Sequence, residues 1–179
     1  MTMAEATSVH AVHPAARVRL DKVVLNIAVG KSGEQLEKAA KVLEALTAQK
    51  PSLRRAKKTV RDFGIHKGEP IAAVVSVRGP KAVELLKALL QAKGNVIEAS
   101  SFDDSGNFSF GIKEHIDIPG VRYDPAIGIF GMDVCVSLKK HGYRVKDRRR
   151  ARHKVGRGQR VTREEAIEFA KSVLAAEVR

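Results

Sequence analysis

The chain has one cysteine, Cys135, no tryptophan, and aromatic residues at only 4% of its 179 positions. A single thiol builds neither a disulfide framework nor a thiolate metal cage. Few aromatics mean few rings on which unpaired bases can stack, which disfavours the sheet-type readers of single-stranded RNA. Long apolar runs are missing too. The longest, such as Ile71 to Val75, are about five residues, far below the roughly 20 that cross a bilayer, so no membrane partner is expected. Met1 to Ala16 lacks an apolar core segment, so no secretory signal is visible. Acidic residues are scarce in two long stretches, and that shortage is the most informative.

Lys139 to Arg163 holds 12 basic residues and one acid, Asp147, a charge of +11 in 25 residues. Lys50 to Lys67 holds seven basic residues and one acid, Asp62, adding +6. With +13 overall, the remainder stands at −4. The chain is therefore a slightly acidic globule with two cationic segments placed to meet a polyanion. A hydrophobic share of 44% with 14 glycines and 6 prolines is ordinary for a folded chain. The length suits one domain or two, with a sizeable core. A soluble intracellular protein with a polyanionic partner is the starting hypothesis.

Periodicity gives the elements. Val23, Leu25, Ile27 and Val29 alternate with Val24, Asn26 and Ala28, as a strand requires. Gly30 ends it, Ser32 with Gln35 reads as a capping box, and Leu36, Ala39, Ala40, Leu43 and Leu46 make a helix to about Ala48. Lys50 to Arg61 reads as a strand, Phe63 to Pro70 as a loop, and Ile71 to Arg78 as a strand. Pro80 opens a second helix striped by Val83, Leu86, Leu89 and Leu90, which Gly94 stops. Asn107 to Lys113 and Met132 to Lys139 are further strands, separated by a long loop over Ile118 to Gly131. Thr162 with Glu165 opens a last helix over 163–177.

Four strands with one apolar face each, and three helices with one apolar stripe each, predict an α+β fold. Its mainly antiparallel sheet carries helices on one face and leaves the other open. Residues 1–16 form a loose leader and 17–179 one domain, which includes the basic segment 139–163 and the last helix. Asn26, Ser76, Arg78, Asn107 and Ser109 line the open face. Amides, hydroxyls and a guanidinium there suit hydrogen bonding to a partner. A merely solvated face is the plainer alternative.

No catalytic constellation emerges. Gly30-Lys31-Ser32 between strand and helix imitates the end of a P-loop, but the position needing the first glycine is Leu25, inside the strand. Six histidines show no metal-ligand spacing, and Cys135 reads as a structural thiol. Asp103 and Asp104 before Gly106 are turn chemistry. Neither metal nor cofactor is expected. The cationic runs remain. Arg148, Arg149, Arg150, Arg152, Lys154, Arg157 and Arg160 lack acidic neighbours, and arginine's planar fork suits phosphate oxygens. With no stacking platform on the sheet, the expected ligand is folded, helical RNA gripped through phosphates, 2′-hydroxyls and minor-groove edges.

Several motifs appear in a telling order. They are Leu25-Asn26-Ile27-Ala28-Val29-Gly30, Gln49-Lys50-Pro51, Arg55-Ala56-Lys57-Lys58, Val77-Arg78-Gly79 and Ser101-Phe102-Asp103. Gly106-Asn107-Phe108-Ser109-Phe110-Gly111, Tyr123-Asp124 and Gly131-Met132-Asp133 follow. Over roughly Val18 to Leu138 the chain resembles the universal large-subunit ribosomal protein five family, which binds 5S ribosomal RNA. The short leader and the basic segment after Leu138 are similar to its archaeal branch.

The resemblance implies a structural constituent of the large subunit, in the cytoplasmic ribosome, docking 5S rRNA in the central protuberance on its open sheet face. The family's strand Asn, the Gln before Lys-Pro and the hydroxyl before Arg-Gly fall at Asn26, Gln49 and Ser76. Ser76 stands where many members have Thr, and Ala48 where Gly is usual. Lys50, Arg54, Lys57, Lys58, Arg78 and Asn107 complete the expected 5S contact. The loop Val60 to Gly68, with Phe63, His66 and Lys67 at its tip, would approach P-site tRNA. The loop around Gly120 to Gly131 would meet a small-subunit protein in a bridge. Neighbouring central-protuberance proteins are further expected partners. Contact of the basic segment with large-subunit rRNA rests on charge alone. A free-standing basic RNA or DNA chaperone is the rival reading, and a nucleotide-dependent enzyme a weaker one.

Overall fold

The computed structural model describes residues 15–121 and 124–179. Most of the expected leader, and Tyr123 of the quoted motifs, lie outside those residues. Strand β1 (Arg19–Ala28) alternates as its sequence requires: Val23, Leu25 and Ile27 are buried, while Asn26 and Ala28 are not. Helix α1 (Glu34–Thr47) buries Leu36, Ala39, Val42 and Leu43 along one stripe. Its start differs from the expected capping box. Gly33 is the N-cap, at φ 107°, with no side-chain cap. Ser32 points elsewhere, donating its hydroxyl hydrogen to Glu69 Oε1.

The expected strand over Lys50 to Arg61 contracts to β2 (Ser52–Arg55), which slips register between Arg54 and Arg55. Pro51 has no N–H to extend the ladder. At the other end Ala56 turns inward, its amide donating to the Glu69 carbonyl at 2.8 Å. The chain then leaves the sheet as a hairpin in which Val60 and Ile65 exchange backbone bonds of 2.9 and 3.1 Å. The expected loop over Phe63 to Pro70 is thus partly ordered by pairing, and Pro70 itself opens strand β3 (Pro70–Val77).

Helix α2 (Pro80–Ala92) starts with Pro at its first turn and buries Ala82, Leu86, Leu89 and Leu90. Strands β4 (Val96–Ile97), β5 (Phe108–Ile112) and β6 (Met132–Lys139) follow. A short helix α3 (Arg144–Asp147) and helix α4 (Arg163–Val173) precede β7 (Glu177–Val178). The last helix stops at Val173 rather than reaching 177. Ala175 takes φ 52°, Ala176 is buried, and the Glu177 amide donates to the Asn95 carbonyl at 2.8 Å, so the chain pairs with β4 in parallel. The capping box at its start forms as expected: Glu165 N donates to Thr162 Oγ1 and Thr162 N to Glu165 Oε2.

Five strands make one antiparallel sheet in the order β2-β3-β1-β6-β5. Its apolar side joins the helical stripes in a core that includes Leu25, Leu43, Leu86, Leu90, Val136 and Phe169. This is the expected α+β arrangement. The other side of the sheet is where polar residues gather.

Candidate nucleic-acid interface

Register decides which side chains share the open face, because residues directly opposite in a ladder point the same way. Ser76, Val24, Cys135 and Ser109 stand in one line across four strands. Ser52, Val74, Asn26, Asp133 and Gly111 make a second line across five. Lys22 lies opposite Ser137, and Arg54 opposite Ala72. No aromatic residue occupies any of these positions.

The polar groups are partly committed to one another. Asn26 Nδ2 donates to Asp133 Oδ2 at 3.2 Å. Ser137 Oγ donates to Asn107 Oδ1 at 2.9 Å, which puts Asn107 on the same face. Asn107 Nδ2 donates to Asp103 Oδ2 at 2.9 Å, while Asp103 Oδ1 accepts from the amides of Ser105 and Asn107. An amide has two N–H groups and two acceptor lone pairs, so Asn26 and Asn107 both retain capacity for a ligand. Among Val24, Val74, Ala72 and Gly111 the face sets hydroxyls, amides, a carboxylate and cations, the chemistry that reads ribose hydroxyls and base edges. Lys22, Asp133 and Ser137 belong to it although they were not among the expected contacts. For Asp133 and Ser137 the alternation of β6 already pointed outward.

Cys135 lies in the middle of this face and is exposed, not in the core. Partial burial, then the neighbouring Asp133 carboxylate, push its thiol above the ordinary value. It is a neutral thiol at neutral pH.

The first cationic segment meets the sheet at β2. Ala48 ends α1 in the left-handed region, at φ 52° and ψ 30°, with its amide on the Glu44 carbonyl at 2.8 Å. Gln49 and Lys50 follow, both exposed. Arg54 is on the open face, Arg78 is exposed just past β3, and Lys57 and Lys58 are exposed at the base of the hairpin. The hairpin is braced at both ends. Lys67 N donates to Thr59 Oγ1 at 3.0 Å, and His66 N to Glu69 Oε2 at 3.0 Å. The Ser32 hydroxyl, and then the His66 amide, hold the Glu69 carboxyl below its usual range. Phe63 projects from the tip, 71% exposed. Phe63 thus sits in the turn that Val60 and Ile65 close, whereas His66 and Lys67, expected at the tip, lie outside that pair on the returning side, their amides held by Glu69 and Thr59.

The second cationic segment is folded. Lys140 is 5% exposed, with Nζ 2.6 Å from Glu165 Oε1 and 3.3 Å from the Arg160 carbonyl. Val161 N donates to the Tyr143 hydroxyl at 3.1 Å, and Arg148 Nε to the Ala151 carbonyl at 2.7 Å. Arg148, Arg149, Arg150, Arg152, Lys154, Arg157 and Arg160 are all exposed, and none forms an ion pair among the described residues. Composition showed the charge of this segment and missed Lys140 and Tyr143, which shape it.

Among the described residues no group of His, Cys, Asp and Glu could hold a metal ion. His115 is buried as a core histidine, its Nδ1 accepting from Phe130 N at 3.3 Å. No described helix is long and apolar enough to cross a membrane.

Residues 13–66 match the family described as Ribosomal protein L5, and residues 70–169 match the model of that ribosomal family's C-terminus. Large ribosomal subunit protein uL5 of Pyrobaculum aerophilum is 59% identical over 166 residues, 93% of each chain. The protein of the same name from Aeropyrum pernix is 54% identical over 86% of this chain and 81% of its own. That from Nitrosopumilus maritimus is 49% identical over 87% and 90%. Matches that run through both halves of the sheet, at this identity and nearly full length, mean that the chain belongs to the ribosomal protein L5 family, in its archaeal form.

Proposed function

We propose that the protein, a non-catalytic constituent of the large subunit of the cytoplasmic ribosome, holds 5S rRNA in the central protuberance on its open sheet face. The described residues act as one RNA-binding unit. The observation that carries this is the face itself: hydroxyls and amides in register across the strands, without aromatics, beside two cationic segments. Such a surface suits a helical RNA, recognised by shape and 2′-hydroxyls, better than unstacked bases. Asn26, Ser76, Arg54 and Asn107 act from the face; Gln49, Lys50, Lys57, Lys58 and Arg78 act from its margins.

Two projections extend the reading. Phe63 presents an exposed ring in the hairpin turn, with His66 and the cation Lys67 exposed on the strand returning from it, which suits contact with P-site tRNA. The loop around Gly120 to Gly131 exposes Ile129 (53%), an apolar contact for a small-subunit protein at a bridge. The basic segment adds large-subunit rRNA, and neighbouring proteins of the protuberance pack alongside. Filter binding compares 5S rRNA with random RNA duplexes of equal length. Preference for 5S rRNA supports the reading. Equal affinity for both is what a general nucleic-acid chaperone gives, and it overturns this one.

A further inference from the structure

A cleft of about 280 Å³ lies between the open face and the basic segment, lined by Ser105, Asn107, Tyr143, Lys146, Lys154 and Arg160 among others. Three of those side chains are cations, and none of the three is in an ion pair among the described residues. Lys146 instead lies over the Tyr143 ring, 4.6 Å from its centroid. The nearby carboxylate of Asp103 is occupied by Asn107 and the Ser105 amide. Asp147, next to Lys146, is exposed. Three cations around a concave space, with no carboxylate pairing them, favour an anion.

The cleft is built before any ligand arrives. Arg160 Nε donates to the Val155 carbonyl at 3.2 Å, and His153 N to the Val145 carbonyl at 3.2 Å. Val161 N on the Tyr143 hydroxyl and Lys140 on the Arg160 carbonyl close the segment onto itself. Binding there does not have to order a loose loop, which is the usual entropic cost of a basic tail.

Asn107 belongs to both places. Its Oδ1 takes the Ser137 hydroxyl on the open face, and its side chain lines the cleft. We infer that sheet face and basic segment form one continuous RNA site, in which a backbone phosphate of the strand crossing Asn107 seats among Lys146, Lys154 and Arg160. This rests on the RNA-binding reading above and changes it in one respect: the segment grips the same RNA as the sheet, not a separate one. Arginine's fork takes two phosphate oxygens, the lysines act as point charges, and the spare Asn107 N–H is left for the adjoining ribose.

The test uses the full chain and the K146Q/K154Q double variant, whose changed side chains make none of the hydrogen bonds that fold the segment. The variant should bind 5S rRNA roughly tenfold more weakly, with a log–log salt slope shallower by about two. Combined with N107A, its loss should be smaller than the product of the separate losses. Unchanged 5S affinity and slope overturn the inference. So does loss of binding to large-subunit rRNA fragments alone, which means two separate sites. R160Q checks the third cation, with the unfolding midpoint confirming an intact fold. A wild-type protein with no preference for 5S rRNA removes the underlying reading instead, and the slope on a random duplex then judges the cleft.

Discussion

Lys140 and Glu165 meet at 2.6 Å where the sheet ends and the last helix begins. The lysine is buried, the glutamate about a third exposed, and the same carboxylate caps α4 through Thr162 N. Glu165→Gln keeps an acceptor for the cap but removes the partner of a buried ammonium. Breaking a fully buried pair costs about 3–5 kcal/mol; the partial exposure of Glu165 reduces this to about 1–3 kcal/mol. Urea unfolding should show a lowered midpoint with an unchanged slope. An unchanged midpoint would mean the pair contributes nothing.

Asn26→Ala, Gln49→Ala and Ser76→Ala should each weaken 5S rRNA binding by about 1–3 kcal/mol, since each leaves an RNA group desolvated and unpaired. Filter binding at fixed salt measures the effect. Wild-type affinity in all three variants would rule out the sheet face as the 5S contact.

Cys135 is the chain's only cysteine and reports on the open face. Burial, then Asp133, raise its thiol, so the thiolate fraction at neutral pH is below that of a free cysteine. Alkylation by N-ethylmaleimide should be slow at pH 7 and accelerate with rising pH, with its midpoint above the ordinary thiol value. Asp133→Asn should shift that midpoint down. Bound 5S rRNA should block the reaction; undiminished alkylation in a saturated complex would place the RNA elsewhere.

Ala48 holds a left-handed conformation that disfavours a β-carbon by about 1–2 kcal/mol. Ala48→Gly relieves that strain and returns part of the gain through the freer unfolded chain. The net expectation is about 0.5–1 kcal/mol of added stability, read as a higher thermal midpoint. A lowered midpoint would contradict the strained cap.

Periodic elements were legible because burial imposes a period. β1 and β6 alternate residue by residue, and their outward positions include Asn26, Asp133 and Ser137. Where no period exists, sequence was a poor guide. A strand is expected over Lys50 to Arg61, but the basic run after Pro51 has no alternation, so nothing in it marked where β2 ends or the return at Val60 and Ile65. Two-residue strands such as β4 and β7 carry too little pattern to be seen. Ser32 looks like a cap locally, yet Glu69, 37 positions away, takes its hydroxyl. The continuity of site and basic segment through Asn107 was equally hidden, since it depends on a side-chain bond spanning 30 positions.

The outer strand β2 has a free edge, and free edges recruit strands from other molecules. This one is four residues long, breaks register at its end, and presents Arg54 and Arg55 in succession. Two copies meeting edge to edge would bring guanidinium groups of like charge together. Like charges at the edge oppose such pairing of the free protein. The charge that draws a polyanion to this margin thus also makes β2 a poor template for a second strand.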